Sequence, residues 1–385
     1  MRLALGYLAL MTVALVAPAS ARAADKPVAA SDTQSMFDRL TAQVATDYDT
    51  AQGGFARRGM PATSAVELAL VLANQTDSEW QSRALWTVDW TQGLMDTIGG
   101  GFIHSVNDPE MARLEKRTNS NAQRLENLID AWQVTGNAAY RRRAAGVVDF
   151  FERVLLDARG GFVAGQIGDR SLEPAANGFA IHAYLRWAAA TGERRYLNFA
   201  LKSVDRVWQT SWDPNGGLLR RGTFGEILEY PQLEDQVEMG RALVLAAQLG
   251  KRPEDLERAR TLGELLLVRF EDPRGGFRTQ SALKKSGEVK KAARVESENS
   301  RAARFLCELA AVTRASHYGD AAARAWTAFA KEFEKSGPEG ADWALAMRVA
   351  MNPRVVAVTE PRWQAVAKSE PMSQPRSVQF KTGRR

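Results

Sequence analysis

The chain has 385 residues, of which 45% are hydrophobic and 25% charged, and it carries a formal net charge of +6 at pH 7. These values lie near the average for globular proteins, and positive charge that is spread out without a nucleic-acid-binding motif predicts no nucleic-acid partner. The single cysteine, Cys307, excludes an intramolecular disulfide, a Cys-x-x-Cys redox pair and a thiolate zinc site.

The first predicted element is a secretory signal peptide over residues 1–23. A positively charged start is followed by the apolar run Leu3–Ala17 and then by small residues that end in Ala-Arg-Ala23, a pattern typical of signal-peptidase sites. The apolar run is shorter than a comfortable membrane span, so a retained anchor is the less favoured alternative. We therefore expect a mature chain that begins near Ala24, has no membrane span and is periplasmic or secreted.

The rest of the chain is organised by five copies of one turn motif. Each copy is an Asp, then two or three residues, then Gly-Gly and a large apolar residue. Glycine pairs allow positive φ in a tight turn just past a helix, and the apolar residue anchors the turn in the core. The second glycines are Gly54, Gly101, Gly161, Gly217 and Gly276. Their separations of 47, 60, 56 and 59 residues each accommodate two helices, which indicates a repeat architecture.

Between the turns the apolar residues keep helical spacing, as Leu125, Leu128, Ile129 and Trp132 do at i, i+3, i+4 and i+7. No sustained alternation of the kind typical of strands competes with this pattern. The predicted helices span approximately residues 32–49, 62–75, 79–95, 119–135, 138–156, 175–191, 194–211, 232–249, 253–270, 298–314, 317–334 and 338–351.

These twelve helices are of two alternating kinds. Helices that follow a Gly-Gly turn are rich in Ala and are predicted to be packed on several sides, whereas those that precede one carry more exposed charge. Six hairpins of outer and inner helices that close on themselves predict an all-α fold, an (α/α)6 toroid over residues 32–351. Residues 352–385, with several prolines and basic residues, predict an extended disordered tail with one short strand at most, Val355–Val358.

In such a toroid the connections after the Gly-Gly turns and the first turns of the inner helices gather at one end, where a ligand would bind. The stretches that map to this rim are 53–61, 104–123, 173–177, 229–236 and 296–300. Their carboxylates, amides and aromatic rings are suited to sugar hydroxyls and C–H faces. A carbohydrate ligand is therefore predicted.

Glycoside hydrolysis needs two carboxyls, one as the acid and one as base or nucleophile. The candidates at the rim are Glu115, Glu234, Asp235, Glu296 and Glu298. The predicted substrate-binding residues are Lys116, Asn121, Gln123, Asn177, His182, Tyr230, Gln236 and Asn299.

Helix capping is the alternative interpretation of these residues. Ser120 with Gln123 fits a capping box, Asn177 is typical of an N-cap, and Glu234 and Asp235 favour the positive end of a helix dipole. Asn299 is likewise an N-cap candidate. Capping alone does not explain why so many carboxyls gather at one rim, so both interpretations stay open.

Histidines are few, and this bears on the other common sugar chemistry. Epimerisation needs an acid and a base on opposite faces of the sugar, often a histidine pair, and only His104, His182 and His317 are present. His182 lies within an inner helix, directed either into the funnel or into the core. The three are scattered without metal-ligand spacing, so no metal and no cofactor is predicted. The basic segment Lys284–Arg294 is interpreted as a solvated loop, with contact to an acidic polymer as the alternative.

At these residues the chain resembles a known family. The matching pieces are Gly53-Gly-Phe55, Met95–Phe102, Leu114-Glu-Lys116, Asn121-Ala-Gln123, Asn177, Leu233-Glu-Asp-Gln236 and Glu298-Asn-Ser300. From about Gly53 to Met351 the chain is similar to the six-hairpin glycosidase-like region of the thioredoxin-linked spermatogenesis-associated protein 20 family. The resemblance implies an (α/α)6 fold related to carbohydrate enzymes. Because the family usually carries a thioredoxin-like domain, a separate thioredoxin-like protein is a further candidate partner, which the missing cysteines make the least favoured alternative.

The chain departs from the family pattern at the rim. Arg113-Leu-Glu-Lys116 replaces His-Phe-Glu-Lys, Ala175-Ala-Asn177 replaces Asp-Trp-Asn, and Arg58-Gly-Met-Pro61 replaces Pro-Lys-Phe-Pro. Three hypotheses follow: a secreted or periplasmic carbohydrate-active protein resembling glycoside hydrolases, a sugar-binding or scaffold toroid without catalysis, and a partner of a thioredoxin-like protein. The sugar and the stereochemical outcome stay open.

Overall fold

The structure is a computed structural model that describes residues 30–57, 60–73, 78–104, 115–167, 170–222, 225–227, 230–281, 293–355 and 376–377. The predicted signal peptide and most of the predicted tail and of the basic segment Lys284–Arg294 lie outside these residues.

Twelve long helices form two concentric rings in the described part of the chain. The outer helices are α1 (Ala30–Thr46), α3 (Ser78–Thr91), α5 (Ala138–Phe150), α7 (Arg194–Ser211), α9 (Pro253–Leu265) and α11 (Ser316–Phe329). The inner helices are α2 (Thr63–Ala73), α4 (Thr118–Thr135), α6 (Pro174–Thr191), α8 (Leu233–Gly250), α10 (Glu296–Thr313) and α13 (Ala341–Met351). A one-turn helix that the sequence did not predict, α12 (Phe333–Ser336), precedes α13.

The inner helices close into a ring. Each packs against the next in the order α2, α4, α6, α8, α10 and α13, and α13 packs back against α2. Each outer helix covers an inner one, and α1 lies on α13, so the two ends of the domain meet. The predicted all-α (α/α)6 toroid is confirmed.

Burial follows the two kinds of helix that the sequence distinguishes. Inner helix α6 buries 16 of its 18 residues, whereas the equally long outer helix α7 buries seven, spaced along one face. A helix that is apolar on all sides must be surrounded, while an amphipathic helix can cover it and face solvent. None of the described helices combines the length and apolar character needed to cross a membrane.

The Gly-Gly turns connect five of the six outer helices to the following inner helix, and α12 lies in the connection from α11 to α13. Gly160 and Gly161 have φ of 112° and 91°, in the left-handed region that favours glycine. The residue after each pair is completely buried, as Phe162 is, and plugs the turn into the core. Before two of the turns the outer helix ends in a π-helical segment, Phe151–Leu155 after α5 and Leu266–Phe270 after α9.

Strands are short and peripheral. The antiparallel pairs are β1 (Ala56–Arg57) with β2 (Met60–Pro61), and β3 (Trp212–Asp213) with β4 (Gly217–Leu218). In the predicted tail β5 (Arg354–Val355) pairs in parallel with β6 (Arg376–Ser377). The predicted strand Val355–Val358 therefore overlaps β5 only at Val355, and its remainder lies outside the described residues.

Candidate functional site

The first turns of the inner helices surround a cavity at the centre of the toroid. All six inner helices contribute to its wall, and most of the side chains are polar or charged. The empty volume is about 430 Å³ and includes the open mouth. The lining residues are Thr63, Ser64, Glu67, Gln123, Glu126, Asn127, Phe179, His182, Glu238, Arg241, Arg301, Arg304 and Asp342.

One wall of the cavity is built around Arg301 on α10. Its guanidinium lies over the Phe179 ring, 4.8 Å from the centroid, and forms long ion pairs with Glu234 (3.9 Å), Glu238 (3.5 Å) and Asp342 (3.9 Å). Among the described residues this guanidinium makes no hydrogen bond, although an arginine offers five donors. We call Arg301, Glu234, Glu238, Glu298 and Asp342 the Arg301 cluster.

Glu238 is the most buried carboxyl of this cluster. Its side chain is 2% exposed, and Oε1 has no hydrogen-bond partner among the described residues. Burial raises the pKa of Glu238 to about 7, although the charges of Arg301 and Arg241 act in the opposite direction. Glu238 is therefore a carboxylic acid that can hold a proton near neutral pH.

Glu298 and Glu234 form the outer part of the cluster. Partial burial and the negative charge of Glu234 raise the pKa of Glu298 to about 7. Glu234 lies one helical turn before Glu238 on α8, which puts both side chains on the same face. The cluster thus extends from the rim to the wall of the cavity.

Helices α4 and α6 contribute a histidine–carboxylate pair to the wall of the cavity. Glu126 Oε1 lies 2.6 Å from His182 Nδ1, and Arg186 Nη1 donates to Glu126 Oε2 at 3.2 Å. Burial alone would raise the pKa of Glu126, but the His182 and Arg186 charges lower it to about 2. With Glu126 ionised, Nδ1 is the donor and Nε2 is the nitrogen left for proton exchange.

Behind this wall Arg186 also donates to Asp130. Asp130 is completely buried, and burial raises its pKa to about 7 in spite of the arginine. Arg186 thus contacts two carboxyls whose pKa values are shifted in opposite directions, upward for Asp130 and downward for Glu126.

Two arginines are held firmly at the floor. Arg304 donates to both carboxylate oxygens of Glu67, with Nη1 at 2.8 Å from Oε2, and Arg304 and Arg241 share Glu308 at 3.2 Å. Since their acceptors are already supplied by the protein, these guanidiniums are less available to a ligand than that of Arg301.

Comparison with known proteins supports the fold. No family model matches the sequence. Spermatogenesis-associated protein 20 of Mus musculus is 25% identical over 240 residues, a match that covers 54% of this chain. The resemblance is therefore detectable, but the chain spans only 30% of that curated relative.

Solved structures match over most of the chain. A cellobiose 2-epimerase from Bacillus thermoamylovorans aligns with a TM-score of 0.65 and 12% identity, covering 77% of this chain and 86% of the epimerase. An α-mannanase of glycoside hydrolase family 76 from Bacteroides thetaiotaomicron gives 0.62 and 12%, with coverages of 83% and 96%. This chain shares the (α/α)6 toroid of these proteins. At these identities the likeness shows the toroid and not its reaction.

The toroid brings three of the five catalytic candidates from the sequence together. Glu234, Asp235 and Glu298 lie at the starts of α8 and α10 near Arg220 and Arg301. Asp235 is completely buried, where it accepts from the Ala175 N–H at 2.9 Å and from Arg220 Nε at 3.0 Å. Burial raises the pKa of Asp235 to about 7, and its contacts join α8 to the start of α6.

The other two rim carboxyls lie apart from this cluster. Glu115 is paired with Arg117 at 2.9 Å. Glu296 accepts from the Ser336 hydroxyl and from Trp343 Nε1, the latter at 3.2 Å, and so connects α10 to α12 and α13.

Four predicted binding amides hold the Gly-Gly turns of the toroid. Each is buried, accepts from the N–H and donates to the C=O of the residue after the glycine pair, at 2.6 to 3.0 Å. The pairs are Asn121 with Phe102, Asn177 with Phe162, Gln236 with Leu218 and Asn299 with Phe277. The geometry therefore gives these amides a structural role, and their assignment to sugar binding stays a prediction.

The capping interpretation is only partly correct. Glu234 and Asp235 do lie in the first turn of α8. The N-cap positions of α6 and α10 are Glu173 and Val295, so Asn177 and Asn299 are not N-caps. The reason is that each helix begins one turn earlier, which leaves the amide free to reach sideways to the neighbouring turn.

The Ser120 and Gln123 capping box is wrong for the same reason, since the N-cap of α4 is Arg117. Ser120 Oγ instead lies 2.8 Å from His104 Nδ1. Both residues are thus inside the helix, and neither caps it.

The remaining predicted residues are divided between the cavity and its surroundings. Gln123 and His182 line the cavity, and Gln123 accepts from the Thr63 hydroxyl at 3.3 Å. Lys116 is buried in an ion pair with Asp96 at 2.6 Å. Tyr230 is 56% exposed and is not among the described residues that line the cavity.

Sequence reasoning missed most charged residues of the cavity. These are Glu67, Glu126, Glu238, Arg241, Arg301, Arg304 and Asp342. The available signal was charge within helices that are otherwise apolar on all sides, since a buried charge needs a partner or a function. In the described part of the chain no group of three or more His, Cys, Asp or Glu residues could hold a metal ion.

Proposed function

We propose that this protein is a carbohydrate-active toroid that acts on a glycan in the central cavity, in the manner of a glycoside hydrolase. The observation that carries the proposal is the Arg301 cluster, where three carboxyls surround a guanidinium that makes no hydrogen bond among the described residues. Two carboxyls of this cluster, Glu238 and Glu298, have a pKa raised to about 7. Support comes from the similar folds of a cellobiose epimerase and an α-mannanase, both of which act on carbohydrates.

The pKa values of two carboxyls in the cavity match the two roles that carboxyls have in glycoside hydrolysis. The reaction needs a protonated acid for the leaving-group oxygen and an ionised carboxylate as base or nucleophile. Glu238, with its pKa raised to about 7, is proposed as the acid, and Glu126, with its pKa lowered to about 2, as the ionised partner that lines the same cavity. Paired carboxyls whose pKa values are pushed apart are typical of such active sites.

Other side chains provide the means to hold a sugar. Gln123 and Asn127 offer amides to hydroxyl groups, and Phe179 offers an aromatic face to C–H groups. Glu234 and Glu298, predicted from the sequence as catalytic, are proposed as rim groups that contact the outer part of the ligand. Asp235 and Glu115 are assigned no contact with the ligand, because neither is among the described residues that line the cavity or belongs to the Arg301 cluster.

We further propose that the mature protein is periplasmic or secreted. The support is the pattern of residues 1–23, an apolar run followed by a small-residue cleavage site. N-terminal sequencing of the exported protein should find a start at Ala24, and a start at Met1 in the membrane fraction would contradict this proposal.

Isomerisation or epimerisation of a sugar is the second candidate, because one observation favours it. His182 is held by Glu126 at 2.6 Å with Nε2 unbonded among the described residues, the arrangement of a general base. Hydrolysis would create new reducing ends, whereas isomerisation in deuterated water would incorporate deuterium without changing chain length. Product analysis therefore separates the two.

The test is a screen of the mature chain against neutral, amino and uronic-acid oligosaccharides, with the melting temperature and the products measured for each. We expect a hit that is turned over, and Glu238→Gln and Glu126→Gln should each reduce its turnover about 100-fold or more. The matched control is Glu257→Gln, at a position 72% exposed on outer helix α9, which should retain full turnover.

Each outcome has a distinct meaning. Full turnover by Glu238→Gln would contradict its role as the acid. A sugar that raises the melting temperature but is recovered intact would indicate a binding toroid without catalysis. If no sugar binds, the proposal fails and the thioredoxin-like partner predicted from the family resemblance becomes the next candidate.

A further inference from the structure

We propose that the central cavity selects a sugar with a protonated amine, a hexosamine unit whose amino group is free. This inference rests on the proposed function and adds the class of substrate.

The charge balance of the cavity is the first observation. Four carboxyls line it, and three more, Glu234, Glu298 and Glu308, interact with its arginines. Against these seven carboxyls stand three guanidiniums and the imidazole of His182. The neighbouring pairs Asp130 with Arg186 and Asp235 with Arg220 each add one carboxyl and one guanidinium. A chain with net charge +6 thus concentrates more carboxyl groups than basic groups at its centre.

A buried carboxyl oxygen without a hydrogen bond is the second, independent observation. Glu238 is 2% exposed and lines the cavity, and its Oε1 has no hydrogen-bond partner among the described residues, although it forms an ion pair with Arg301 at 3.5 Å. A buried acceptor without a donor costs free energy, so such an atom marks a place where a ligand donor fits. An ammonium group has three donors and would satisfy Oε1 with a charge-assisted hydrogen bond.

The groups around Glu238 favour a cation over an anion. Glu234 and Arg241 face it from α8, Arg301 from α10 and Asp342 from α13, while His182 is the ionisable residue that α6 contributes to the cavity wall. Arg301 is itself surrounded by three carboxyls at 3.5 to 3.9 Å. A uronate carboxylate would therefore meet repulsion where an ammonium meets attraction.

Binding of a cation has a signature in proton release. The excess of acid accompanies raised pKa values of about 7 for Glu238 and Glu298, so both hold protons at pH 6. An ammonium close to them would lower both pKa values and drive protons into solution. A neutral sugar would leave them in place.

The experiment is titration calorimetry at pH 6 with three oligosaccharides of equal length, made of glucosamine, N-acetylglucosamine and glucose. We expect the glucosamine oligomer to bind about 10- to 100-fold more tightly than the other two. Measurements in two buffers of different ionisation enthalpy should show proton release only for the glucosamine oligomer.

Substitutions test whether Glu238 is responsible for the preference for the glucosamine oligomer. Glu238→Gln should abolish most of the preference and of the proton release, and Glu257→Gln should change neither. If Glu238→Gln fails to fold, Glu298→Gln at the partly exposed rim carries the same expectation in weaker form. Equal binding of the three oligomers would overturn this inference and leave the proposed function standing. No binding by any of the three would also overturn this inference, whereas the proposed function fails only if the whole panel of neutral, amino and uronic-acid oligosaccharides does not bind.

Discussion

At the scale of single residues, the buried amides are the clearest structural feature that the repeats share. The Asn177 side chain accepts from the Phe162 N–H at 2.7 Å and donates to the Phe162 C=O at 2.8 Å. Asn121, Gln236 and Asn299 do the same at three other turns. Each amide therefore replaces the backbone partner that a sharply turning chain cannot supply.

Removal of one amide should destabilise the whole domain. Asn177→Ala leaves the Phe162 N–H and C=O buried without partners, and we expect the free energy of unfolding to fall by about 2–4 kcal/mol. Urea denaturation measures this change. Asn198→Ala, at an exposed position on outer helix α7, is the matched control and should be nearly neutral. An unchanged midpoint for Asn177→Ala would show that the turn does not depend on this amide.

At the scale of helices, close contact between α6 and α8 positions the wall of the cavity. A Cβ on Gly178 of α6 would lie 2.4 Å from the backbone carbon of Glu238 and 2.6 Å from the backbone nitrogen of Met239. The two helices can approach this closely only because Gly178 has no side chain. This close packing of α6 contributes to the burial of Glu238. A displacement of α6 would therefore also change the pKa of Glu238.

We therefore expect Gly178→Ala to push α8 away from α6, because backbone atoms cannot yield as a flexible side chain can. Overpacking should lower the free energy of unfolding by about 1–3 kcal/mol. The melting temperature checks this prediction, against Gly146→Ala in the middle of outer helix α5 as control. The nearest atom to a Cβ there is 4.0 Å away, so the control should stabilise by about 0.5–1 kcal/mol through helix propensity. Equal effects of the two variants would contradict the close contact of α6 and α8.

At the scale of the whole molecule, closure of the ring creates the acid excess of the cavity. Six helix starts converge on one end, and the carboxyls they carry are brought together although they are distant in sequence. Burial raises the pKa values of Glu238, Asp235 and Asp130 to about 7, and burial with the charge of Glu234 does so for Glu298. Folding therefore disfavours the ionisation of these four carboxyls.

This should make stability depend on pH in a defined direction. A carboxyl whose pKa is raised from about 4 in the unfolded chain to about 7 stabilises the folded state fully below pH 4 and loses that contribution as pH rises to 7. Glu126, whose pKa is lowered to about 2, acts in the opposite sense, and its contribution is lost below pH 4. We expect the highest melting temperature near pH 4–5 and a decline toward pH 8.

Calorimetric melting between pH 3 and pH 9 tests this dependence. Glu238→Gln, which cannot ionise, should flatten the decline between pH 5 and pH 8, whereas Glu257→Gln on the outside should leave the curve unchanged. A melting temperature that rises from pH 5 to pH 8 in the wild-type protein would contradict the raised pKa values.

The sequence by itself determined the helices, the turns and the toroid. Signals such as Leu125, Leu128 and Ile129 at helical spacing, or Gly161 before Phe162, act within a few residues of the chain. An Ala-rich helix must be surrounded, and an amphipathic helix must cover it. The division into inner and outer helices therefore followed from composition. Exceptions such as the one-turn α12 arise where packing of the last hairpin, rather than local pattern, sets the backbone.

Only the tertiary structure decided what each polar residue does. The sequence does not distinguish the roles of Glu115 and Glu238. In the structure Glu115 pairs with Arg117 at the rim, whereas Glu238 is buried in the cavity wall. The sequence predicts Asn177 as an N-cap, but in the structure its side chain makes two hydrogen bonds to the backbone of Phe162 in the neighbouring turn. A carboxyl acquires its pKa and its partners from residues on other helices, up to 237 positions away for Glu67 and Arg304, and no local pattern contains that information.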